Sequence, residues 1–370
     1  MTIGLNLISV ADTKGRGTTT FLKNIIAGLH HFSIKDCSFV IYKQKHIPED
    51  FFNFPKDFKI EWVNVPSLGN GIKRMIFEQT LFYLYLKKSD VLFSHCTSLP
   101  LFAKSRKIFT LHDVYYKEFA KRYSKLKTLA LDITTKMFLK SSDTVITVSD
   151  YSKKSILKHY RVPEEKIKVV YNFLSDRKIV ANRDTLSLDK EFINKSFLYV
   201  GSIQPGKNIK GMADGFLKFS HDHPDYNLII VGKLTYQGDR IIAELPKNKK
   251  IIYLGHQSDE VVRYLQSECF ATVLLSFCEG FGIPPLEGFK FQKPTLTSDC
   301  TSLPEITGGA GPKIDPYDIN AIANGFEAVV KNYDFYKNNT GHQLAKFQMK
   351  SETQKFLEIL DADYEEKKLV

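Results

Sequence analysis

Two carboxylates bracket a glycine-rich turn in the last third of the chain. Glu279 stands at the start of the turn and Glu287 follows after seven intervening residues, with Gly280 and Gly282 between them. Glycines let a backbone turn sharply and approach a ligand closely, and Pro284–Pro285 suits the first turn of a helix. Carboxylates accept hydrogen bonds from sugar or ribose hydroxyls. The turn therefore predicts a site for an anionic ligand that carries hydroxyl groups.

The elements around this turn are a strand and a helix. Ala271–Phe277 is a short apolar run, which predicts a strand buried on both faces. The helix after the turn would carry Leu286, Phe289 and Phe291 inward. Open α/β sheets bind ligands at the carboxyl ends of their strands, where this turn would lie. Taken alone, the residues also fit a plain strand–helix turn with solvated surface glutamates.

Length and composition indicate a globular chain of two domains. The chain has 370 residues, 43% of them hydrophobic and 25% charged, and a single core seldom grows past about 250–300 residues. Its 5 cysteines are odd in number and form no CxxC pair, which argues against a zinc site or a disulfide framework and favours a reducing compartment. No signal peptide and no apolar run of ~20 residues are visible. We expect a cytoplasmic protein.

The net charge of +11 calls for an anionic partner or a solvated basic surface. No nucleic-acid-binding motif is present, and we expect no nucleic-acid partner. Anionic membrane and anionic substrates explain the charge equally well. Basic residues cluster in Lys73–Lys88, where we expect a core-facing helix, and in Tyr115–Lys140. The second segment fits a membrane-contacting face and a solvated face equally.

The carboxylate spacing also points to a family. Glu279-x7-Glu287, followed by TSDCTSLPEITGGAG, resembles the signature of the retaining glycosyltransferases of family 4, and the bacterial O-antigen mannosyl- and rhamnosyltransferases are the most similar branch. The resemblance implies the α/β GT-B fold, in which two Rossmann-like domains face a cleft and the C-terminal helix crosses back to the first domain. It suggests an acceptor-side domain over residues 1–175, a nucleotide-sugar domain over 190–340, and returning helices over 341–370.

The resemblance assigns further site residues in the second domain. The family pattern Gly-x-x-x-Pro-x-Lys-Asn is matched by Gly201, Pro205, Lys207 and Asn208. Lys207 would then bind the donor diphosphate, helped by Ser202 and the backbone amides after Phe281. Relatives often carry an arginine at one of two positions that are Ser202 and Gly206 here, so an arginine clamp would have to come from elsewhere.

In the first domain, the glycine loop with Gly15 and Gly17 loosely matches the loop that lies beneath the donor diphosphate in relatives. His112 follows the predicted strand Ile108–Leu111 and matches a histidine that contacts the donor hexose. The catalytic residues implied are His112, Glu279 and Lys207, with Glu279 at the sugar and Glu287 at the ribose. The donor-binding residues implied are Gly15, Gly17, Gly201, Ser202, Asn208, Gly280, Phe281, Gly282 and Glu287.

The activity implied is transfer of a hexose from a nucleotide-sugar to a saccharide or lipid-linked saccharide acceptor in surface polysaccharide synthesis, with retained anomeric configuration. Mannose from GDP-mannose is favoured. Rhamnosyl or glucosyl transfer from a TDP- or UDP-sugar and an inactive GT-B binding module remain alternatives, while the glutamate pair argues against an inverting transferase or an epimerase. No Asp-x-Asp motif stands in a predicted cleft loop, because Asp361-Ala362-Asp363 lies in the tail. We therefore expect no metal and no cofactor. We also expect peripheral contact with the inner face of the cytoplasmic membrane.

Overall fold

A computed structural model describes residues 1–12, 17–69, 71–96, 98–119, 124–175, 186 and 188–367. The chain forms two compact units. The first comprises Met1–Ser175 together with Gln348–Val370, and the second comprises Asp176–Phe347. Among the described residues, no helix is long and apolar enough to cross a bilayer.

The first unit is built on a seven-stranded parallel sheet. The strands in the N-terminal part of the unit are β1 Thr2–Asn6, β2 Phe32–Ile34, β3 Ser38–Gln44, β4 Lys59–Val65, β5 Val91–Ser94, β6 Arg106–Thr110, β7 Thr144–Thr147 and β8 Ile167–Val169. All of these except β2 belong to the seven-stranded sheet. The strand order is β4-β3-β1-β5-β6-β7-β8. The central strands are short apolar runs buried on both sides, as parallel sheets covered by helices require.

The helices of this part are α1 Gly17–Leu29, α2 Ile72–Thr80, α3 Tyr115–Glu118, α4 Lys125–Ser141 and α5 Asp150–His159. The Ser149 side chain accepts a hydrogen bond from the Ser152 amide and caps α5.

Helices α2 and α4 cover the same face of the first sheet. Leu92 packs with Phe77 of α2, and Phe109 packs with Phe138 of α4. Leu92 pairs in register with Lys107, two residues before Phe109. Side chains two apart in a strand point to the same side, so both helices lie over one face.

The expectation of a core-facing helix in Lys73–Lys88 holds only for part of the segment. Phe77 and Phe82 are buried, whereas Ile76, Leu81 and Leu84 are exposed. Helix α2 ends at Thr80 and is followed by a 3-10 turn at Phe82–Leu84. Because the chain changes conformation at Leu81, the apolar side chains do not continue along one side of a single helix.

The second unit has a six-stranded parallel sheet in the order β11-β10-β9-β12-β13-β14. Its strands are β9 Ser196–Val200, β10 Asn227–Val231, β11 Ile251–Tyr253, β12 Ala271–Leu274, β13 Thr295–Ser298 and β14 Lys313–Ile314. Its helices are α6 Lys190–Asn194, α7 Ile209–Asp222, α8 Gly238–Ala243, α9 Asp259–Glu268, α10 Ile283–Lys290, α11 Leu303–Thr307, α12 Ile319–Lys331 and α13 Tyr333–Leu344. Phe197 meets Phe326 edge-on in the core, with ring centroids 4.7 Å apart. The sheet order changes direction at β9, whose neighbour β12 comes later in the chain.

The C-terminal segment returns to the first unit, as the GT-B resemblance implies. Helix α14 Met349–Ile359 packs on α1, and β15 Tyr364–Glu366 pairs antiparallel with β2. The Tyr171 amide donates to Glu352 Oε2 over 2.8 Å. Helix α13, in contrast, packs on α10 within the second unit, so the chain changes unit after Phe347.

Candidate functional site

The loops after β9 and β12 form the candidate site of the second unit. These strands are neighbours at the point where the sheet order reverses, which is where open α/β sheets bind ligands. Strand β12 ends at Leu274 rather than at Phe277. The predicted strand stops early because the Phe277 amide bonds to the Gly206 carbonyl of the β9–α7 loop, over 2.9 Å, instead of continuing the ladder.

Lys207 and Glu279, both predicted to be catalytic, contact each other. Lys207 Nζ lies 2.5 Å from Glu279 Oε1, and the two side chains are 18% and 14% exposed. The Ser276 hydroxyl donates to the same carboxylate oxygen over 2.6 Å. Residues 72 positions apart in the chain thus place an ammonium and a carboxylate side by side at the carboxyl ends of β9 and β12.

The Glu279 turn is held by hydroxyl side chains from the segment after β13. Thr301 Oγ1 accepts a hydrogen bond from the Glu279 amide over 3.0 Å. The Ser302 hydroxyl reaches the carbonyls of Glu279 and Phe281, each over 2.9 Å. Gly282 has φ of 98°, and a Cβ there would lie 2.7 Å from a Leu303 methyl group. The turn therefore requires glycine at this position and leads directly into α10.

Side-chain hydrogen bonds of Tyr199 and Asn208 hold the β9–α7 loop. The Tyr199 hydroxyl donates to the Ser202 carbonyl over 3.0 Å, and burial, reinforced by nearby Glu279, raises the pKa of this tyrosine. A Cβ at Gly201 would lie 2.7 Å from the same hydroxyl. The buried Asn208 side chain donates to the Pro316 carbonyl over 2.7 Å. Asn208, predicted to bind the sugar donor, therefore has its side chain engaged in supporting the loop.

Glu287 has a different set of partners from Glu279. Its Oε2 accepts a hydrogen bond from Gln266 Nε2 of α9 over 2.9 Å. Burial raises the pKa of Glu287, and Gln266 and Arg263 offset part of this effect. The two carboxylates thus start from different environments, one paired with an ammonium and the other with a neutral amide.

Three of the predicted site residues, Gly15, Gly17 and His112, belong to the first unit. Gly15 lies outside the described residues. Gly17 begins α1, and no neighbouring atom lies within 4 Å of a Cβ built there. His112 follows β6, with the Phe21 ring edge-on to it at 5.4 Å. Its buried Nε2 has no hydrogen-bond partner in the described part of the chain, and burial lowers its pKa to about 4. His112 is therefore a neutral imidazole at pH 7.

His95 is a further candidate that the sequence analysis missed. It follows β5, is 1% exposed, and its ring lies edge-on to His112 with centroids 6.1 Å apart. Burial, His112 and Arg74 all lower the pKa of His95. Its Nδ1 has no hydrogen-bond partner among the described residues. The rule that drew attention to His112, a histidine after a predicted strand, applies equally to Ser94-His95.

A buried ion pair lies in the same unit. Arg74 Nη1 contacts Glu78 Oε2 over 2.8 Å, and both side chains are almost fully buried. Asn6 Nδ2 donates to Glu78 Oε1 over 3.0 Å. Such a pair is expensive to desolvate and depends on these added hydrogen bonds.

Across the described residues, no group of three or more His, Cys, Asp or Glu side chains could hold a metal ion.

Two family models match the chain. The model for glycosyl transferases group 1 matches residues 187–345, and the model for glycosyltransferase family 4 matches residues 40–177. Both models describe glycosyltransferases, and together they match most of the chain. Each match falls on one of the two units, and the match to the group 1 model contains the Lys207–Glu279 pair.

Two relatives of this chain are named as O-antigen chain mannosyltransferases. The Escherichia coli O-antigen chain mannosyltransferase B is 29% identical over 59% of this chain and 59% of its own length. The Salmonella typhimurium O-antigen chain mannosyltransferase RfbU is 31% identical over 61% of this chain and 60% of its own. The matched region thus spans about three fifths of these relatives.

Solved structures extend the likeness to the whole fold. Anabaena HepE in complex with UDP and glucose superposes with a TM-score of 0.70 at 16% identity, covering 98% of this chain and 99% of that one. The GT-B fold expected from the sequence is confirmed.

Proposed function

We propose that this protein transfers a hexose from a nucleotide-sugar to a saccharide or lipid-linked saccharide acceptor, with retention of anomeric configuration. The observation that carries the proposal is the Lys207–Glu279 pair at the carboxyl ends of β9 and β12, beside the N-terminus of α10. The names of the O-antigen relatives favour mannose as the sugar, and the family resemblance favours GDP-mannose as its donor. HepE was solved with UDP and glucose, so a UDP-sugar is the second candidate.

In the proposed reaction, the bond between the anomeric carbon and the diphosphate oxygen breaks, and the acceptor oxygen bonds to that carbon. The acceptor proton passes to the departing diphosphate. Lys207 and the amides after Phe281 would stabilise the charge that grows on this leaving group. Glu279 would hold sugar hydroxyls and Glu287 ribose hydroxyls. His112, being neutral, would offer its unpaired Nε2 to the hexose as a hydrogen-bond partner.

The test combines binding and product analysis. Thermal-shift measurements with GDP, UDP and TDP should identify one nucleotide that stabilises the protein; a ligand at ~100 times its Kd adds roughly 2.7 kcal/mol. Turnover with the cognate nucleotide-sugar should continue in EDTA and give a product with the donor's anomeric configuration. Binding without hydrolysis or transfer on any saccharide would instead indicate a binding module.

We also propose that the first unit contacts anionic membrane, where a lipid-linked acceptor would reside. Helix α4 carries an apolar stripe of Leu126, Leu129, Ile133 and Met137, which are 78%, 55%, 49% and 45% exposed. Their spacing of three or four residues puts them on one side of the helix. Lys125, Lys127, Lys136 and Lys140 accompany the stripe. An amphipathic helix of this kind is suited to lie on an anionic bilayer surface.

A further inference from the structure

We propose that a groove at the C-terminal end of α4 binds the phosphate group of an anionic membrane lipid. This inference builds on the proposed membrane contact of the first unit. The groove has a volume of about 580 Å³, and five of its lining side chains are basic. They are Lys136, Lys140, His159, Arg161 and Lys166.

Two of the basic groups are held by neighbouring polar atoms. Lys166 Nζ donates to the Leu139 carbonyl over 2.6 Å, which fixes one ammonium group at the end of α4. Lys136 lies 3.0 Å from Asp132, a carboxylate that also pairs with Lys117. Two lysines sharing one carboxylate leave positive charge in excess at this side of the groove.

Two further cations are available to a ligand. Lys140 and Arg161 are exposed, and no carboxylate of the described residues pairs with either. The fifth basic residue of the groove is His159, and its Nε2 lies 3.9 Å from Glu118 Oε1. An arginine fork beside an ammonium group matches the oxygen geometry of a phosphate.

A second groove of the same unit is lined by acidic as well as basic side chains. It has a volume of about 430 Å³, and Arg106 and Asp361 are both among its lining residues. These two side chains pair with each other over 2.9 Å. Its lining also includes Glu358. The α4 groove, in contrast, has no acidic residue among its lining side chains.

The position of the groove favours a lipid over a soluble anion. Met137 of the apolar stripe lies next to Lys136 and three residues before Lys140, so stripe and groove occupy neighbouring parts of one helix. Lys166 directly precedes β8, which puts the groove at the amino ends of the strands, the opposite edge from His112. A phosphate bound there is too far along the strands for the proposed transfer chemistry, and the site would serve as an anchor.

The test measures co-sedimentation with phosphatidylcholine vesicles containing or lacking phosphatidylglycerol. The double variant Lys140→Gln/Arg161→Gln is compared with Lys154→Gln/Lys158→Gln, which removes the same charge from exposed positions of α5. We expect the groove variant to bind phosphatidylglycerol vesicles about tenfold or more weakly than the control variant, because it loses hydrogen bonds as well as charge. Equal losses in both variants would mean that the surface acts only through its net charge and would overturn the site.

Two further arms separate the remaining explanations. Inorganic pyrophosphate that binds wild type but not the groove variant, with no vesicle effect, would reveal a soluble-anion site and overturn the lipid assignment. Nucleotide binding, measured in the same preparations by thermal shift, reports on the proposed transferase site alone. Loss of vesicle binding with retained nucleotide binding, or the reverse, therefore tells which of the two proposals fails.

Discussion

At the scale of single residues, the contact between Lys207 and Glu279 changes what each substitution should do. We expect Lys207→Ala to lower kcat by ~10²–10³-fold and to weaken donor binding, because charge grows on the diphosphate as the sugar leaves. Glu279→Gln should also lower kcat, yet nucleotide binding should stay equal or tighten, since the Lys207 ammonium loses its carboxylate partner. Glu287→Ala should mainly raise the donor KM, as loss of uniform binding does.

The measurements are steady-state turnover and calorimetric nucleotide binding. Lys210→Ala is the matched control, because Lys210 lies three residues away in an exposed pair with Asp214. If Glu279→Gln lost nucleotide affinity and kept kcat, the roles given to the two carboxylates would have to be exchanged.

His95 and His112 predict an acid-sensitive first unit. Because burial lowers both pKa values, that of His112 to about 4, the folded state binds fewer protons than the unfolded state below the ordinary value of 6.5. Stability should therefore fall as pH drops from 6.5 towards 4, by roughly 1.4 kcal/mol per pH unit for His112, and His95 should add a loss in the same direction. Denaturant unfolding of His95→Gln and His112→Gln should show a shallower pH slope than the wild-type protein, and an unchanged slope in both variants would contradict this prediction.

At the scale of elements, the contact between α1 and α14 depends on one glycine. A Cβ at Gly28 would lie 1.9 Å from Thr353 Oγ1. We expect Gly28→Ala to destabilise the first unit by about 1–3 kcal/mol, as overpacking does. Gly17→Ala, in the same helix but open to solvent around its Cβ, should leave thermal stability unchanged. Equal melting temperatures for both variants would show that α14 moves to accommodate the added methyl group without loss of folding stability.

The apolar stripe of α4 makes a separate prediction. Replacing Leu129 and Ile133 together with serine should weaken binding to anionic vesicles, because about 0.8 kcal/mol is lost per CH₂ group withdrawn from the membrane. The folding stability should not fall, since both side chains are exposed. The control is Lys154→Gln on α5, and sedimentation at low and high salt is the measurement. Unchanged partitioning of the serine variant would remove the stripe from the contact.

Local patterns predicted the strands beside the candidate residues, but not the distances between side chains. Apolar runs predicted β6 and β12, and the glycine–proline turn predicted α10. The pairing of Lys207 with Glu279 spans 72 residues, and no local pattern encodes it. Sequence also cannot tell whether an apolar helix side is covered: Phe138 is buried and Met137 exposed, although they are neighbours.

At the scale of the whole molecule, the C-terminal segment completes the first unit. Removing residues 348–370 would take away α14 and β15, which leaves α1 and β2 without their partners. We expect hydrogen exchange to become faster throughout the first unit, while the second unit, whose residues end at Phe347, keeps its protection and serves as the internal control. Uniform acceleration in both units would contradict their independence.

The same return of the chain sets an order in time during synthesis. The residues of the second unit, 176–347, emerge after most of the first unit and before its last piece. At roughly 5–20 residues per second, this interval lasts on the order of 10–30 s. Throughout that interval the nascent first unit has an open edge at β2 and an uncovered α1. The second unit needs no segment beyond Phe347, whereas the first unit cannot complete its fold until residues 348–370 have been added.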